Sequence, residues 1–311
     1  FVFDGDGLRF LQDLEKLEGG AVPVSQLLIE APGDATVRKN LDHFVRRGGV
    51  ETLSRAGAAI TLFTLQTYAP AGGAGHRVGL RGGGPLTTLV YPERRENDGA
   101  PAPLWHALWL NVPVQAGDIA PASLDAGVFP WLGPTRTSES DQATTPQDVD
   151  ALQAFWGMPR RIRLDFEPNT ENRPCDLTGA IDTVIVRSYR TRPYGTKYAA
   201  FQHPLSPHYQ KKGEKGWLPV HGQPGRIGWR DWLGLVLADA ELGRQPAAVL
   251  EIVRGEYTYN LADETMEIAA DERGEPTVTY GAQSITARTI HYDQKTNELT
   301  AVGNVRLWDQ G

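Results

Sequence analysis

Residues 68–90 read Y-A-P-A-G-G-A-G-H-R-V-G-L-R-G-G-G-P-L-T-T-L-V, a run with seven glycines, His76, Arg77 and Arg81, and no carboxylate. A stretch so rich in glycine supports neither a stable helix nor a central strand. It reads as two tight turns, Gly72-Gly73-Ala74-Gly75 and Gly82-Gly83-Gly84, joined by a short basic segment. Glycine lets a backbone come close to another molecule, and Arg77 and Arg81 make a polyanion the natural candidate. From composition alone, a plain surface loop is an equal reading. Two phosphate-binding patterns are excluded. No Gly-Lys-Ser/Thr follows the glycines, so this is no Walker A loop. Gly73 and Gly75 are followed by Gly79, one residue too late for the dinucleotide fingerprint, and a helix rather than a strand precedes them.

That helix is the clearest in the chain. Over Val50 to Tyr68, apolar residues recur at Leu53, Ala56, Ala59-Ile60, Phe63 and Tyr68, and small residues around Gly57 permit close packing. Pro70 and the glycines end it. Upstream, residues 7–18 carry Leu8, Leu11, Leu14 and Leu17 at helical spacing. Residues 34–49 are polar and basic, and read as an exposed loop ending in Arg46-Arg47-Gly48-Gly49.

Downstream, Leu86–Val90, Arg160–Phe166 and Ile181–Tyr189 read as strands. Leu104–Val114, Gln147–Gly157 and Trp229–Ala240 read as helical or buried segments, and residues 115–147 as a long connection. From Tyr257 onward, short strands repeat around a D-Q-K-T-N turn, a hairpin signal. Composition shifts near Val253, and a domain boundary is expected there.

The chain has 311 residues, 40% hydrophobic content and eight tryptophans, enough for one large or two ordinary domains with a true core. One cysteine gives no disulfide framework within the chain. No apolar run approaches the roughly 20 residues that span a bilayer, so no membrane association is expected. The net charge of −7 argues against a generic nucleic-acid binder, but it is uneven. Residues 254–311 hold ten acids and five bases, leaving the other 253 residues near −2. Those include basic clusters at Arg46-Arg47, Arg160-Arg161-Arg163 and Arg187/Arg190/Arg192, and local charge is what a phosphate feels.

Catalytic and metal motifs are missing from the sequence. Cys175 lacks Cys-x-x-Cys partners, which makes a structural cysteine the better reading. His203, His208 and His221 lie between prolines without a His-Glu-x-x-His pattern, and read as turn residues. Asp165 and Glu167 have Arg161 and Arg163 beside them, so ion pairing outranks acid–base chemistry. No Gly-x-Ser-x-Gly elbow occurs.

Residues 1–253 resemble the CasA family, the large subunit of the type I-E Cascade CRISPR surveillance complex. The resemblance rests on R-F-L-Q-D at 9–13, S-Q-L-L-I-E-A-P-G at 25–33 and, above all, A-G-G-A-G-H-R-V-G-L-R-G-G-G-P-L-T-T-L-V at 71–90. L-W-L-N-V at 108–112, R-P-C-D-L-T-G-A at 173–180, S-Y-R-T-R-P-Y-G at 188–195 and F-Q-H-P-L-S-P-H-Y at 201–209 extend it. It implies a mixed, irregular α+β large-subunit fold of the CasA type. It also implies a cytoplasmic, non-catalytic antiviral-defence subunit without cofactor. Its expected partners are guide RNA, target double-stranded DNA, other Cascade subunits and the helicase-nuclease effector. Such a subunit reads the protospacer-adjacent motif largely through the minor groove, docks near the 5′ handle of the guide and helps recruit the effector.

Carried onto this sequence, the resemblance puts Gly72, Gly73, Ala74 and Gly75 against the minor groove, whose degenerate code suits tolerance of several motifs. Arg77 and Arg81 join them as DNA-binding candidates. The basic contact to the motif falls among Arg187, Arg190, Arg192 and Lys197. His43, Phe44, Val45, Arg46 and Arg47 correspond to the segment that meets the RNA handle and a neighbouring subunit.

The sequence departs from the family in three places. The family's N-terminal portion is absent. The zinc-binding cysteine cluster of some members is reduced to Cys175, so no metal is expected. The later portion, with its wedge loop and four-helix bundle, is missing. Residues 254–311 resemble instead an OstA/LptA-type lipopolysaccharide-transport β-jellyroll, through Y-T-Y-N-L-A-D-E-T-M-E-I and I-T-A-R-T-I-H-Y-D-Q-K-T-N-E-L-T-A-V-G-N-V-R-L-W. A short C-terminal antiparallel β segment is expected there, and a composite chain is the simplest account. The alternative function it implies is that of a periplasmic β-jellyroll protein of lipopolysaccharide transport.

Overall fold

The structure is a computed structural model. It describes residues 2–73, 75–90, 103–112, 125–213, 216–222, 234–236, 238, 241–252, 258–260, 265–269, 277–280, 283–293 and 298–309. The chain forms two compact units, one of Phe1–Leu89 with Gln115–Ala247, the other of Val90–Val114 with Ala248–Gly311. In chain order the elements begin with β1 (Val22–Pro23), α1 (Asp34–Arg38), β2 (Leu53–Ser54), α2 (Arg55–Tyr68) and α3 (Leu104–Trp109). They continue with β3 (Ala143–Thr144), β4 (Arg161–Pro168), β5 (Val184–Arg192), β6 (Lys197–Tyr198), β7 (His208–Gln210), β8 (Trp217–Pro219) and β9 (Arg244–Gln245). The last are β10 (Thr258–Asn260), β11 (Thr265–Ala269), β12 (Thr277–Tyr280), β13 (Gln283–Thr286), β14 (Thr289–Asp293), β15 (Glu298–Val302) and β16 (Arg306–Asp309). Short 3₁₀ turns occupy Val24–Leu27, Pro130–Leu132, Ala151–Phe155 and Ala248–Ile252. The fold class is α+β with several small, mostly antiparallel sheets.

The first unit is built on β5. This strand pairs antiparallel with β4 along its length, Arg161 opposite Arg192 at one end and Pro168 opposite Val184 at the other. A register shift at Asp165/Phe166 bends β4. Along its other edge β5 takes β1 (Val22 opposite Tyr189) and β2 (Leu53 opposite Val186). Helix α2 lies over this sheet. Ser54 caps its start, the hydroxyl accepting from the Gly57 N–H at 3.1 Å.

The buried face of α2 is not the one that the apolar spacing suggests. Gly57, Ala58, Thr61, Leu62, Leu65 and Gln66 are buried, whereas Ile60 is 63% exposed and Phe63 faces partly outward. Close approach decides the orientation, because a Cβ on Gly57 would stand 2.7 Å from the Cys175 sulfur. Leu62 and Leu65 join Ile162, Leu164, Val186 and Met158 in the core. Each such burial is worth about 1.5–3 kcal/mol. Phe10, Phe129, Trp131 and Trp156 add edge-on ring contacts beside it.

Several other expectations differ from what forms. Residues 7–18 make no helix: Leu11 and Leu17 take left-handed backbone angles of +53° and +49°, which interrupts helical bonding. Instead the Asp13 N–H donates to the Ile162 carbonyl, and the Gln12 side chain accepts from the Leu164 N–H. The loop at 34–49 begins with α1. Residues 86–90 form no strand; Leu86 and Thr88 donate singly to Val220 and Leu205. The helix at 147–157 shrinks to a 3₁₀ turn capped by Asp150. The helix expected at 229–240 falls mostly outside the described residues. His203 does open a turn, its carbonyl accepting from the Ser206 N–H, but it is buried, and His208 is buried in β7 rather than in a turn.

In the second unit, β10, β11, β14 and β15 form one antiparallel sheet in that order, and β12, β13 and β16 another. Tyr292 opposite Leu299 and Asp293 opposite Glu298 flank the expected D-Q-K-T-N turn. Helix α3 presents Leu104, Trp105, Leu108 and Trp109 outward.

Candidate nucleic-acid interface

The first glycine turn is closed by two backbone bonds, Gly72 N–H to His76 carbonyl at 3.3 Å and His76 N–H to Gly73 carbonyl at 3.1 Å. Gly73 sits at φ +84°, where an L side chain is strained, yet nothing lies within 4 Å of a Cβ built there. Its outer surface is therefore bare backbone. Gly72 and Gly73 are exposed, and Ala74 lies outside the described residues. Gly75 anchors the turn: its carbonyl accepts from the Tyr194 N–H at 2.6 Å. The turn thus rests where β4 begins and β5 has just ended.

This placement brings two sequence candidates together. Arg77 donates to the Ser138 hydroxyl and carbonyl at 2.8 and 2.9 Å and reaches Asp141 at 3.3 Å. Lys197 meets the other oxygen of Asp141 at 2.8 Å. The Lys197 bond, ahead of the Arg77 charge, holds the Asp141 carboxyl below its ordinary range. Arg77 also lies over the Tyr194 ring, 5.9 Å from its centroid. Loop 72–77 and segment 192–197 form one patch, with an exposed carboxylate neutralising part of its charge. Arg192, at the same end of β5, is exposed and has no ion pair among the described residues. Arg190 is drawn along the strand to Asp165 at 3.2 Å and the Gly19 carbonyl at 2.8 Å. Arg187 lies further off and pairs with Glu167.

Arg81 differs from its expected outward placement. It is 4% exposed, and its guanidinium donates to Ser206, Thr87, Tyr68 and the Leu86 carbonyl. It fastens the second glycine turn to the end of α2. Burial lowers its pKa, and its charge helps lower those of His203 and His208, to about 3 and about 4, after burial itself. Both histidines stay neutral at physiological pH, and no cluster of three metal-ligating side chains occurs among the described residues.

The segment at 43–47 belongs to the other end of α2. Arg47 grips Asp42 with two bonds, 2.5 and 2.6 Å, holding that carboxyl at about pKa 2. The Val45 N–H donates to the Asp42 carbonyl. Phe44 is 102% exposed, and His43 and Arg46 are exposed beside it. The chain then runs through Glu51 and Thr52, whose N–H groups both donate to Asp176, into β2 and α2. No described contact joins this segment to the glycine turns.

Sequence reading missed Arg160. It stands just before β4, and its guanidinium occupies the space under Gly72. A Cβ on Gly72 would lie 2.5 and 2.7 Å from its two terminal nitrogens. The arginine cluster at 160–163 was visible in sequence, but two of its members point elsewhere. Arg161 pairs with Asp13 and Glu15, and Arg163 donates to the Asp13 and Gly7 carbonyls. Ion pairing was expected for Asp165 and Glu167 and occurs, with cross-strand Arg190 and Arg187 as the partners. Cys175 is buried at 2% exposure against α2.

Comparison with known proteins adds the following. The family model described as CRISPR-associated protein Cse1 matches residues 1–284, a span that continues past residue 253. Among solved structures, the chain is similar to a crystal structure of Thermus thermophilus CasA at 21% identity and a TM-score of 0.48, over 94% of this chain and 53% of that one. It is also similar to a structure of Thermus thermophilus CasA (Cse1) at 20% identity and a TM-score of 0.44, over 94% and 55%. A third, a CRISPR-associated protein from Thermus thermophilus, gives 20% identity and a TM-score of 0.47, over 94% and 53%. The chain thus spans about half the length of the solved relatives that it matches. No curated protein matches it.

Proposed function

This chain belongs to the CRISPR-associated Cse1 family, and from that premise we propose that it works as part of the large subunit of a type I-E Cascade complex, recognising the protospacer-adjacent motif in target double-stranded DNA. The observation that carries the reading is the turn at Gly72–Gly75. Its Gly72 and Gly73 are exposed backbone without side-chain bulk, at the sheet end that also bears Arg192, Arg77 and Lys197. Bare backbone fits a narrow groove, and minor-groove readout asks for few side chains. Gly72, Gly73, Ala74 and Gly75 face the groove in this reading, with Arg192 and Lys197 on flanking phosphates and Arg190 behind them. Arg77 and Arg81 support the turns from within.

Docking falls to the other end of α2. Phe44, His43 and Arg46 offer an aromatic and basic tip to the guide RNA handle and a neighbouring Cascade subunit, while Val45 and Arg47 fix its shape through Asp42. A stacked base or a subunit pocket would cover Phe44. The role is one of binding in the cytoplasm, with recruitment of the helicase-nuclease as its output, and it calls for no chemical step. Among the described residues no helix is long and apolar enough to cross a membrane.

The test is target-duplex binding by a Cascade complex lacking its large subunit, with and without this chain, on motif-bearing and motif-scrambled DNA at fixed salt. Motif-dependent binding that appears only with the chain supports the proposal. Copurification without motif dependence would leave docking and remove recognition.

A further inference from the structure

Arg160 is held by its peptide rather than by its side chain. Its peptide is clamped by Gln66 of α2, 1% exposed: the Arg160 N–H donates to Gln66 Oε1 at 3.0 Å, and Gln66 Nε2 donates to the Arg160 carbonyl at 2.9 Å. The base of the side chain is therefore fixed. Its guanidinium is largely unengaged. Nη2 donates to the Pro70 carbonyl at 2.5 Å. Nε is buried without any partner, and Nη1 bonds to nothing among the described residues. Arg47, Arg55, Arg77, Arg161, Arg187 and Arg190 all meet a carboxylate, and Arg81 and Arg163 meet none but give their donors to other oxygens; Arg160 has neither a carboxylate nor acceptors for Nε and Nη1 among the described residues.

A half-buried guanidinium without a counter-ion is costly, and its five donors call for acceptors. Burial acts to lower its pKa, although an arginine stays charged at any physiological pH. Beside it His76 is half-buried and pushed down by burial and by Arg160, so it supplies no second cation. The outlet for those donors is Gly72. This residue is exposed, and its missing Cβ is what lets Nη1 and Nη2 pack directly against its backbone.

We propose that Arg160 is the anion-binding residue of the glycine turn, its free guanidinium donors reaching a phosphate of the target duplex beside Gly72, where no side chain stands in the way. The inference rests on the reading of that turn as the duplex contact, and it assigns the cation which the turn's own sequence lacks. A guanidinium fits a phosphate oxygen with paired N–H donors, and one released counter-ion per contact makes binding fall with salt. Gly72 then has a stated purpose, since any side chain there would displace the donors from the surface.

The experiment measures motif-duplex binding by the reconstituted complex across a salt series, for the wild type, Arg160→Gln, Arg160→Lys and Gly72→Ala. Arg160→Gln is expected to weaken binding and to reduce the slope of log K against log salt by about 1. Arg160→Lys should keep the slope while binding less well, and Gly72→Ala should lose both. An Arg160→Gln complex that binds more weakly with the wild-type slope would overturn the proposal and leave Arg160 as a prop for Pro70.

Phenylglyoxal modification of the wild-type complex, read by mass spectrometry, covers the case in which Arg160→Gln does not fold. Protection of Arg160 should appear on adding the motif duplex. Equal modification with and without the duplex, or protection already present with guide RNA alone, would overturn the assignment. If the wild type shows no motif-dependent binding, the parent reading of the turn falls; binding with an unchanged slope removes only the role of Arg160.

Discussion

Asp13 and Arg161 form an ion pair of 2.7 Å with side chains only 1% and 8% exposed. The pair joins a turn-rich N-terminal segment to the first residue of β4, and Arg163 adds a bond to the Asp13 carbonyl at 2.8 Å. Removing Asp13 takes away the buried counter-charge of Arg161 and leaves it only Glu15, whose side chain is exposed. Asp13→Ala should therefore cost about 3–5 kcal/mol, well above a surface substitution. Urea unfolding of the two proteins checks it. A loss under about 1 kcal/mol would mean that the segment is not part of the cooperative unit.

Gly57 and Cys175 should couple with a change of sign. In the wild type, Gly57→Ala drives a methyl to 2.7 Å from the Cys175 sulfur and is expected to destabilise by about 1–3 kcal/mol. In a Cys175→Ala background the space is free, and helix propensity then favours alanine over Gly57 by up to about 1 kcal/mol. A double-mutant cycle by thermal or urea unfolding reads both signs, and equal effects in the two backgrounds would refute the contact.

The buried histidines set an acid-side loss of stability. His203 and His208 hold folded pKa values of about 3 and about 4 by burial and by the Arg81 charge, against about 6.5 in the unfolded chain. Above pH 6.5 both states are neutral and nothing is lost. As pH falls below that, the unfolded chain binds protons that the folded chain refuses. Stability should drop by about 1.4 kcal/mol per pH unit for each histidine, until the folded values are reached. Asp42, whose carboxyl is depressed to about 2 by Arg47, contributes fully above about pH 4 and loses its contribution only below that. Urea midpoints between about pH 6.5 and 5 thus isolate the histidines. His203→Gln and His208→Gln should each flatten the slope there, and an unchanged slope would contradict their burial.

Gly73 offers a clean comparison of shape with charge. Its left-handed backbone suits asparagine and aspartate about equally, and no neighbour obstructs either. At low salt Gly73→Asp should bind the motif duplex roughly fivefold to tenfold more weakly than Gly73→Asn, with the gap closing as salt rises. Equal affinities would place the duplex phosphates away from this turn.

Phe44 separates docking from stability. Its side chain touches nothing that would hold the fold, so Phe44→Ala should leave the melting temperature unchanged while reducing copurification with the other Cascade subunits. A lowered melting temperature with full copurification would reassign it to the fold.

Much of this was legible where local chemistry decides the outcome. Pro70 ends α2, alternation marks β4 and β5, and the D-Q-K-T-N turn stands between β14 and β15. The inward face of α2 was not legible, because small and polar residues (Gly57, Thr61, Gln66) win it through close contact with Cys175 and the Arg160 peptide. Nor was the irregular path at Leu11 and Leu17, whose helical spacing is overridden by bonds to β4. At the candidate site, the glycine turn announced itself. Its underlying cation did not, since Gly72 and Arg160 are brought together only by the packing of α2 on the sheet. The inward turn of Arg81 likewise depends on Ser206, distant in sequence.

Helix α2 carries the exposed segment 43–47 before its first residue and the glycine turn after its last, and both ends are tied to the same sheet. Ser54 in β2 fixes one end and the Gln66–Arg160 clamp the other. One residue inserted between them would rotate everything beyond it by about 100° and advance it by about 1.5 Å. The clamp could then no longer close on Arg160 while the cap held. The helix is in this sense a phase-setting spacer of about 21 Å, tolerant of what its outer surface is made of and intolerant of how many residues it contains.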